Sequence, residues 1–357
     1  MKSIKKLNFR FFFFILIGGF ILQSSKCKDT PEPTPVAVIT SSSQSIMAYE
    51  SITFTDASIS TVASREWVID GGTPSSSTAA SVTAQFTKEG TYNVKLTIKN
   101  TSGVSNSATV SVVVKPATFV HTVSASNIVS NWTVLDNPAT NNNPSAILIV
   151  TQNWGSSAGV YHNKAIGVWY SGGKWTIFNQ NSTAMSASAG TKFNVLVKQP
   201  SDKAFVVTAS SISGHVGNLS NAALNGNANA KLLITQNYGV SSVYNNNPIG
   251  LWYNGNWTVY NQNLAAMPAN AQFNVVVDDR ISIITASAPA GNSYSFSLAS
   301  TDNQPDALVF ASQYWTSVYN PNEIGLWYTS GKWSVFNQNL VTIPTNAKFM
   351  VLSNKQF

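Results

Sequence analysis

The chain has 357 residues, of which 10% are charged and 11% aromatic, with a formal net charge of +7. So few charges beside ten Trp, twelve Tyr and eighteen Phe argue against intrinsic disorder, and the length suits two or three domains with cores of their own. The positive excess is local: Lys2, Lys5, Lys6, Arg10 and Lys26 all precede the single cysteine, which leaves 16 basic against 14 acidic residues in 27–357. Basicity therefore makes no case for a nucleic-acid partner or an acidic substrate.

Residues 1–26 have the layout of a signal peptide. Lys2, Lys5, Lys6 and Arg10 form a positive n-region, and Phe11 to Leu22 is an apolar run of twelve residues, short of the roughly 20 that span a bilayer. A short uncleaved anchor is the alternative. Ser24, Ser25, Lys26 and Cys27 follow, then Lys28, Asp29 and a Pro-rich stretch to Pro35. This resembles the start of a bacterial lipoprotein, with Ser24 where Leu is usual and Lys26 where a small residue is usual. Lipoproteins of the Bacteroidota are looser at these sites, and a Lys-Asp pair after the cysteine is a surface-export mark among them. The resemblance implies lipidation of Cys27, a membrane anchor in the outer membrane and exposure at the cell surface, with 27–35 as a semi-rigid spacer. Ordinary secretory cleavage would instead leave a free thiol, since a lone cysteine closes no disulfide within its chain.

Over residues 36–115 short runs alternate apolar and polar side chains, as in Ser51 to Asp56 and Tyr92 to Ile98, and Val110 to Val114 reads as a closing strand. With no sustained 3.6-residue period, the pattern predicts a β-sandwich. Trp67, Asp70, Gly71 and Gly72, then Phe86, Gly90, Tyr92, Val94 and Leu96, make the segment resemble a PKD domain, although Ile69-Asp70 stands where Phe-Gly is usual. The resemblance implies an Ig-like spacer or contact module, with Trp67 and Tyr92 in its core.

The remainder holds one unit three times, over 117–199, 200–279 and 280–357. Its clearest line runs from Ile166-Gly167 to Trp169-Tyr170 and on through Trp175 to Asn179-Gln180-Asn181. It returns at Ile249 to Asn263 and at Ile324 to Asn339, with Gly167, Gly250 and Gly325 spaced by 83 and 75 residues. Opening strands at Phe119, Phe205 and Ile281, middle strands ending at Trp154, Tyr238 and Trp315, tight hairpins, and closing strands at Phe193, Phe273 and Phe349 make each unit all-β. Only three residues separate Val277 from Ile281, which predicts a hairpin joint and units that share a sheet or pack directly. The fold class expected is all-β: an Ig-like sandwich followed by a three-repeat antiparallel domain with pseudo-threefold symmetry. Closing the first strand onto the last would remove exposed edges. The lines resemble a repeat family of uncharacterised function in secreted bacterial proteins, a resemblance that implies no activity.

Catalysis and metal binding find little here. The repeats hold seven carboxylates (Asp136, Asp202, Asp278, Asp279, Asp302, Asp306 and Glu323), none recurring at one column, and His121, His162 and His215 do not recur together. No catalytic residue, metal ligand or cofactor is predicted, although a hydrolase pair assembled from distant positions stays open. Amides and aromatics do recur. Gln152, Asn153, Trp154 and Tyr161 correspond to Gln236, Asn237, Tyr238 and Tyr244, and to Gln313, Tyr314, Trp315 and Tyr319. Rings stack on sugar CH faces and amides pair with hydroxyls, so these twelve residues are the candidate ligand-binding set, with an extracellular glycan as ligand. Trp169, Trp175 and their equivalents are expected to fill the core, and the bland reading of Asn-Gln-Asn is a cap on strand ends. The alternatives to glycan binding are a structural or adhesive protein contact and a glycan hydrolase.

Overall fold

The computed structural model describes residues 32–357 except 60, 157, 158 and 316. The targeting run, Cys27 and the start of the Pro-rich stretch lie outside the described residues. Among the described residues no helix is long and apolar enough to cross a membrane, and the helical pieces are two 3-10 turns, Met185–Ser188 and Asn354–Gln356.

The PKD-like segment is a two-sheet sandwich. Ile39–Ser41, Ser51–Asp56, Ser81–Phe86 and Gly72–Thr73 make one sheet; Ser45–Met47, Ser105–Lys115, Gly90–Lys99, Ser64–Ile69 and Ser76–Ser77 make the other. The period-two patterning is the cause: Val82, Ala84 and Phe86 turn inward to meet Val94, Leu96 and Ile98, while the residues between them face water. Trp67 is fully buried, and its Nε1 donates to the Ala79 carbonyl at 2.9 Å. Tyr92 packs on Phe86 at 5.5 Å and donates its hydroxyl to the Lys88 carbonyl at 3.0 Å. Sandwich contacts begin upstream of Val36, because the Glu32 carboxylate accepts from the Ser102 N–H at 2.9 Å and the Thr101 hydroxyl at 2.7 Å. Pro35 is buried as well.

Each repeat places its opening, closing and middle strands side by side in antiparallel order. In the first these are Ala117–Thr122, Lys192–Lys198 and Ile147–Gly155; in the second Ala204–Thr208, Gln272–Val277 and Leu232–Asn237; in the third Ser282–Thr285, Lys348–Ser353 and Val309–Tyr314. The hairpin of each repeat does not join its own sheet. Hairpin one (Ile166–Ser171 with Lys174–Asn179) pairs in parallel with the middle strand of repeat two, Val168 opposite Asn237. Hairpin two (Ile249–Tyr253 with Trp257–Asn261) pairs with the middle strand of repeat three, Leu251 opposite Tyr314. Hairpin three (Ile324–Thr329 with Lys332–Asn337) returns to repeat one, Leu326 opposite Asn153.

The ring is therefore closed, but by the third hairpin on the first middle strand; the opening strand stays within its own repeat. The expected hairpin joint is also corrected. Gln272–Val277 and Ser282–Thr285 lie in different sheets, because each opening strand pairs with its own closing strand, and the chain crosses between sheets at Asp278 to Arg280.

Where the three middle strands converge, buried backbone N–H groups find partners across repeats. Val150 donates to Thr235 Oγ1 at 2.9 Å, Ile234 to Ser312 Oγ at 3.0 Å, and Ala311 to Thr151 Oγ1 at 3.1 Å. Beside this ring Asn194 Nδ2 donates to the Val309 carbonyl at 2.8 Å and Asn274 Nδ2 to the Leu148 carbonyl at 3.0 Å. Met350 takes the third such place, with its sulfur 3.2 Å from the Leu232 nitrogen. The sandwich joins this body through one continuous core with repeat one. Tyr49 Oη accepts there from Asn143 at 3.2 Å and Gln199 at 3.0 Å, and Lys198 pairs with Glu89 at 2.6 Å.

Closure makes a prediction. Deleting residues 280–357 removes both the hairpin that covers the first middle strand and the strand that receives the second hairpin. The shortened chain is expected to lose the cooperative thermal transition of the repeats, followed by near-ultraviolet circular dichroism; an unchanged transition would contradict closure.

Candidate functional site

The glycine of the recurring line explains the site's construction. Gly167, Gly250 and Gly325 sit opposite Phe178, Tyr260 and Phe336 in their hairpins. A Cβ on any of the three would lie within 2.7 Å of the facing ring and of the side-chain amide of Gln180, Gln262 or Gln338. Lacking one, the strand lets the ring lie across its backbone, one face toward the neighbouring repeat.

Loop aromatics of the next repeat meet that ring. Trp154 and Tyr161 of repeat one stack at 4.3 Å, and both meet Phe336 of hairpin three edge-on at about 6 Å. Tyr238 and Tyr244 of repeat two, 5.0 Å apart, meet Phe178 at 5.7 and 5.6 Å, and Tyr238 meets Trp169 at 5.9 Å. Trp315 and Tyr319 of repeat three, 5.9 Å apart, meet Trp252 at 4.8 Å and Tyr260 at 5.6 Å respectively. All three clusters thus lie on seams between repeats, and each needs two repeats to exist.

Two seams enclose cavities. Trp154, Tyr161, Trp327 and Phe336 with Asn292 line one of about 110 Å³. Trp132, Trp169, Phe178, Tyr238 and Tyr244 with Asn131 line another of about 150 Å³. At the third seam the corresponding position is His215, whose Nε2 lies 3.3 Å from Tyr319 Oη, so an imidazole stands where the other seams present an asparagine amide.

The six aromatics Trp154, Tyr161, Tyr238, Tyr244, Trp315 and Tyr319 are half-buried or exposed. The amides expected beside them are not at the surface. Gln152, Asn153, Gln236, Asn237 and Gln313 are buried. Asn153 Nδ2 donates to Asn194 at 2.8 Å and Asn237 Nδ2 to Asn274 at 2.7 Å, while Gln236 and Gln313 donate to the Asn247 and Asn322 carbonyls. Strand alternation turns Asn153 and Asn237 toward the threefold axis, where the closing strands supply partners. Tyr314 replaces that asparagine in repeat three and packs against Trp257 at 6.0 Å.

Asn-Gln-Asn does cap. Asn179 Nδ2 donates to the Thr183 carbonyl at 2.9 Å, and Asn261 and Asn337 repeat the bond at 3.0 Å. Its glutamine does more: Gln180, Gln262 and Gln338 Oε1 accept the N–H of Asn245, Asn320 and His162 in the following repeat at 3.0 to 3.1 Å. Of the hairpin tryptophans, Trp175, Trp257 and Trp333 are buried, with Nε1 bonded to carbonyls at 2.8 to 3.0 Å. Trp169, Trp252 and Trp327 are half-buried seam residues, contrary to a core role. Trp132, Phe178, Phe336, Asn131 and Asn292 escaped the sequence, because they reach the seam only once a hairpin crosses to its neighbour.

Titratable groups are sparse. Burial holds His121 and His162 down to about 4; His121 bonds Thr133 and His162 bonds Ser188, each at 2.7 Å. Asp136, Asp278 and Asp306 pair with Lys174, Arg280 and Lys355. Among the described residues no group of three His, Cys, Asp or Glu could hold a metal ion. Among the carboxyls with a shifted pKa, Glu323 is the one pushed up, to about 7, by burial.

A carboxyl whose folded-state pKa is raised favours the folded state most below the unfolded value of 4.5, and that contribution is lost as pH climbs toward 7. Glu323→Gln is therefore expected to raise the melting temperature above that of the native chain at pH 8, with the gap closing by pH 4. Melting curves across this range check it, and a gap independent of pH would contradict it.

Comparison with known proteins followed from this geometry. The family described as "Domain of unknown function (DUF7452)" matches residues 95–190, 186–277 and 280–353, and the PKD domain matches 32–115. No curated protein matches the chain. Among solved structures, the PKD1 domain of the Vibrio cholerae metalloprotease PrtV is 26% identical, covering 23% of this chain and 98% of its own, with a TM-score of 0.20. A structure of carbohydrate-binding modules from the β-sandwich superfamily is 17% identical, covering 69% and 92%, with a TM-score of 0.23. The Bacteroides ovatus mixed-linkage glucan protein SGBP-B, solved with a heptasaccharide, is 12% identical, covering 81% and 63%, with a TM-score of 0.18. Scores this low carry no argument about ligand or activity. The chain belongs to the DUF7452 family, with three copies of that domain behind one PKD domain.

Proposed function

We propose that the protein is a non-enzymatic lipoprotein, anchored through Cys27 at the outer membrane and exposed at the cell surface, that binds an extracellular glycan at the aromatic seams between its repeats. One observation carries the reading: three clusters of paired rings recur at threefold-related seams, two of them around cavities lined by rings and one asparagine. A ring face takes the CH side of a pyranose, and the Asn131 or Asn292 amide takes its hydroxyls. Neutral sites repeated on one rigid body suit a repeated glycan, because two engaged sites multiply affinity through effective concentration. The non-enzymatic part is supported by the pairing of Asp136, Asp278 and Asp306 with basic neighbours. The PKD domain serves as the spacer.

A protein-contact reading is favoured by a separate observation. Val120, Val206 and Ile283 occupy equivalent places on the opening strands, each at a sheet edge, and are 42%, 44% and 45% exposed. Edge strands of that kind can accept a strand from a partner.

A glycan array probed with residues 28–357 separates the two. The glycan reading expects binding that weakens at least about tenfold, or about 1.4 kcal/mol, in Trp154→Ala and again in Tyr238→Ala, with circular dichroism unchanged. Loss of glycan mass on incubation would indicate hydrolysis, and an empty array would move the reading to protein contact.

A further inference from the structure

A third cavity lies on the threefold axis, away from the seams, and holds about 80 Å³. Every repeat contributes the same three positions to its wall: a hydroxyl (Thr151, Thr235, Ser312), an amide (Gln152, Gln236, Gln313) and an isoleucine (Ile166, Ile249, Ile324). The hydroxyl and amide rings are buried, whereas the isoleucines are half-exposed, so the cavity is a funnel that narrows from an apolar collar to a polar floor.

Two residues break the symmetry. Lys164 lines this cavity where the other repeats have Asn247 and Asn322, and Glu323 lines it where they have Ala165 and Pro248. Its Oε1 is sealed from solvent and has no hydrogen-bond partner, and Gln313 Oε1, in a side chain 5% exposed, has none either. The other ionisable residue of the wall, Lys164, turns its Nζ to Thr183 Oγ1 at 2.6 Å and forms no ion pair with Glu323. Glu323 as a whole is half-buried, but sealing one carboxylate oxygen away from any donor is costly. Among the described residues no cation forms an ion pair with it, and two wall oxygens, Glu323 Oε1 and Gln313 Oε1, are left without a donor.

We infer that the axial cavity is a binding site for a small primary ammonium, R–NH3+ with a short aliphatic stem. The ammonium offers N–H donors to the two wall oxygens that lack them, Glu323 Oε1 and Gln313 Oε1, and Glu323 supplies the compensating negative charge. The stem lies against the isoleucine collar. Space at about 10–15 Å³ per water-sized group leaves room for roughly five to eight such groups, so a stem of about four carbons fits beside the ammonium. A divalent metal does not suit the site, since calcium asks for six to eight oxygens and several charges, and one carboxylate is present. The pKa of Glu323, raised by burial to about 7, goes in the direction expected of a carboxyl that lacks a cationic partner. This inference stands apart from the glycan proposal, since none of its residues lies in an aromatic seam.

The test is thermal melting of the whole chain at pH 7.5 with methylammonium, butylammonium, tetramethylammonium, sodium or potassium chloride at equal ionic strength. Methylammonium and butylammonium are expected to raise the melting temperature with the logarithm of their concentration, the other three to leave it flat, and Glu323→Gln to abolish the rise. Equal responses to all five salts, or a rise that survives in Glu323→Gln, would overturn the proposal, as would a potassium response matching that of methylammonium. Should the variant fail to fold, nuclear magnetic resonance on the native chain decides. The side-chain amides of Gln236 and Gln313 are expected to shift saturably with methylammonium and not with tetramethylammonium, and unmoved amides would overturn the inference.

Discussion

The constraint on which the molecule depends is the fate of three buried backbone N–H groups. Val150, Ile234 and Ala311 lie where the middle strands converge, out of reach of water and of their own sheets, and each is satisfied by a hydroxyl of another repeat. An unmade bond of this kind costs about 1–3 kcal/mol, and three occur together. No repeat can supply its own partner, so none is complete alone. The crossing hairpins impose the same dependence at the periphery, where Gln180, Gln262 and Gln338 each accept an N–H from the following repeat.

That dependence also makes the sites. A seam exists only where one repeat's hairpin lies on another's middle strand, and the glycine that lets Phe178, Tyr260 or Phe336 cross the backbone is the glycine of the recurring line. The scaffold and the candidate binding surface therefore draw on the same residues. Symmetry sets the number of seams at three, and departures from symmetry make them unequal. His215 replaces an asparagine at one seam, and Tyr314 with Met350 replaces an asparagine pair near the axis. Lys164 and Glu323 put two ionisable groups into a cavity otherwise lined alike by every repeat.

Much of this was legible in the sequence. Period-two alternation announced the sandwich, and self-similarity announced three all-β units with their strands and turns, because both signals are local. The exchange of hairpins was not legible, since parallel pairing between Val168 and Asn237 or Leu251 and Tyr314 leaves no mark in spacing. That gap explains the misplacements at the site. Recurring Gln and Asn were read as ligand-binding amides beside the rings, whereas in the structure Gln152, Asn153, Gln236, Asn237 and Gln313 are buried. Trp169 was read as core beside Trp175, yet it sits on a seam because its strand is the one that meets the neighbour. Charge was read along the chain as well: no carboxylate recurs at one column of the repeats, and among the described residues the one sealed carboxylate oxygen without a partner, on Glu323, lies in the axial cavity.

Hydrogen exchange followed by mass spectrometry addresses the interlocking of the repeats most directly. If every repeat is completed by its neighbours, the middle strands 147–155, 232–237 and 309–314 and all three hairpins exchange through one global opening, with a common free energy and a common denaturant dependence. A repeat whose middle strand and hairpin open together, well before the other two, would show a self-contained unit and contradict the closed, interdependent assembly.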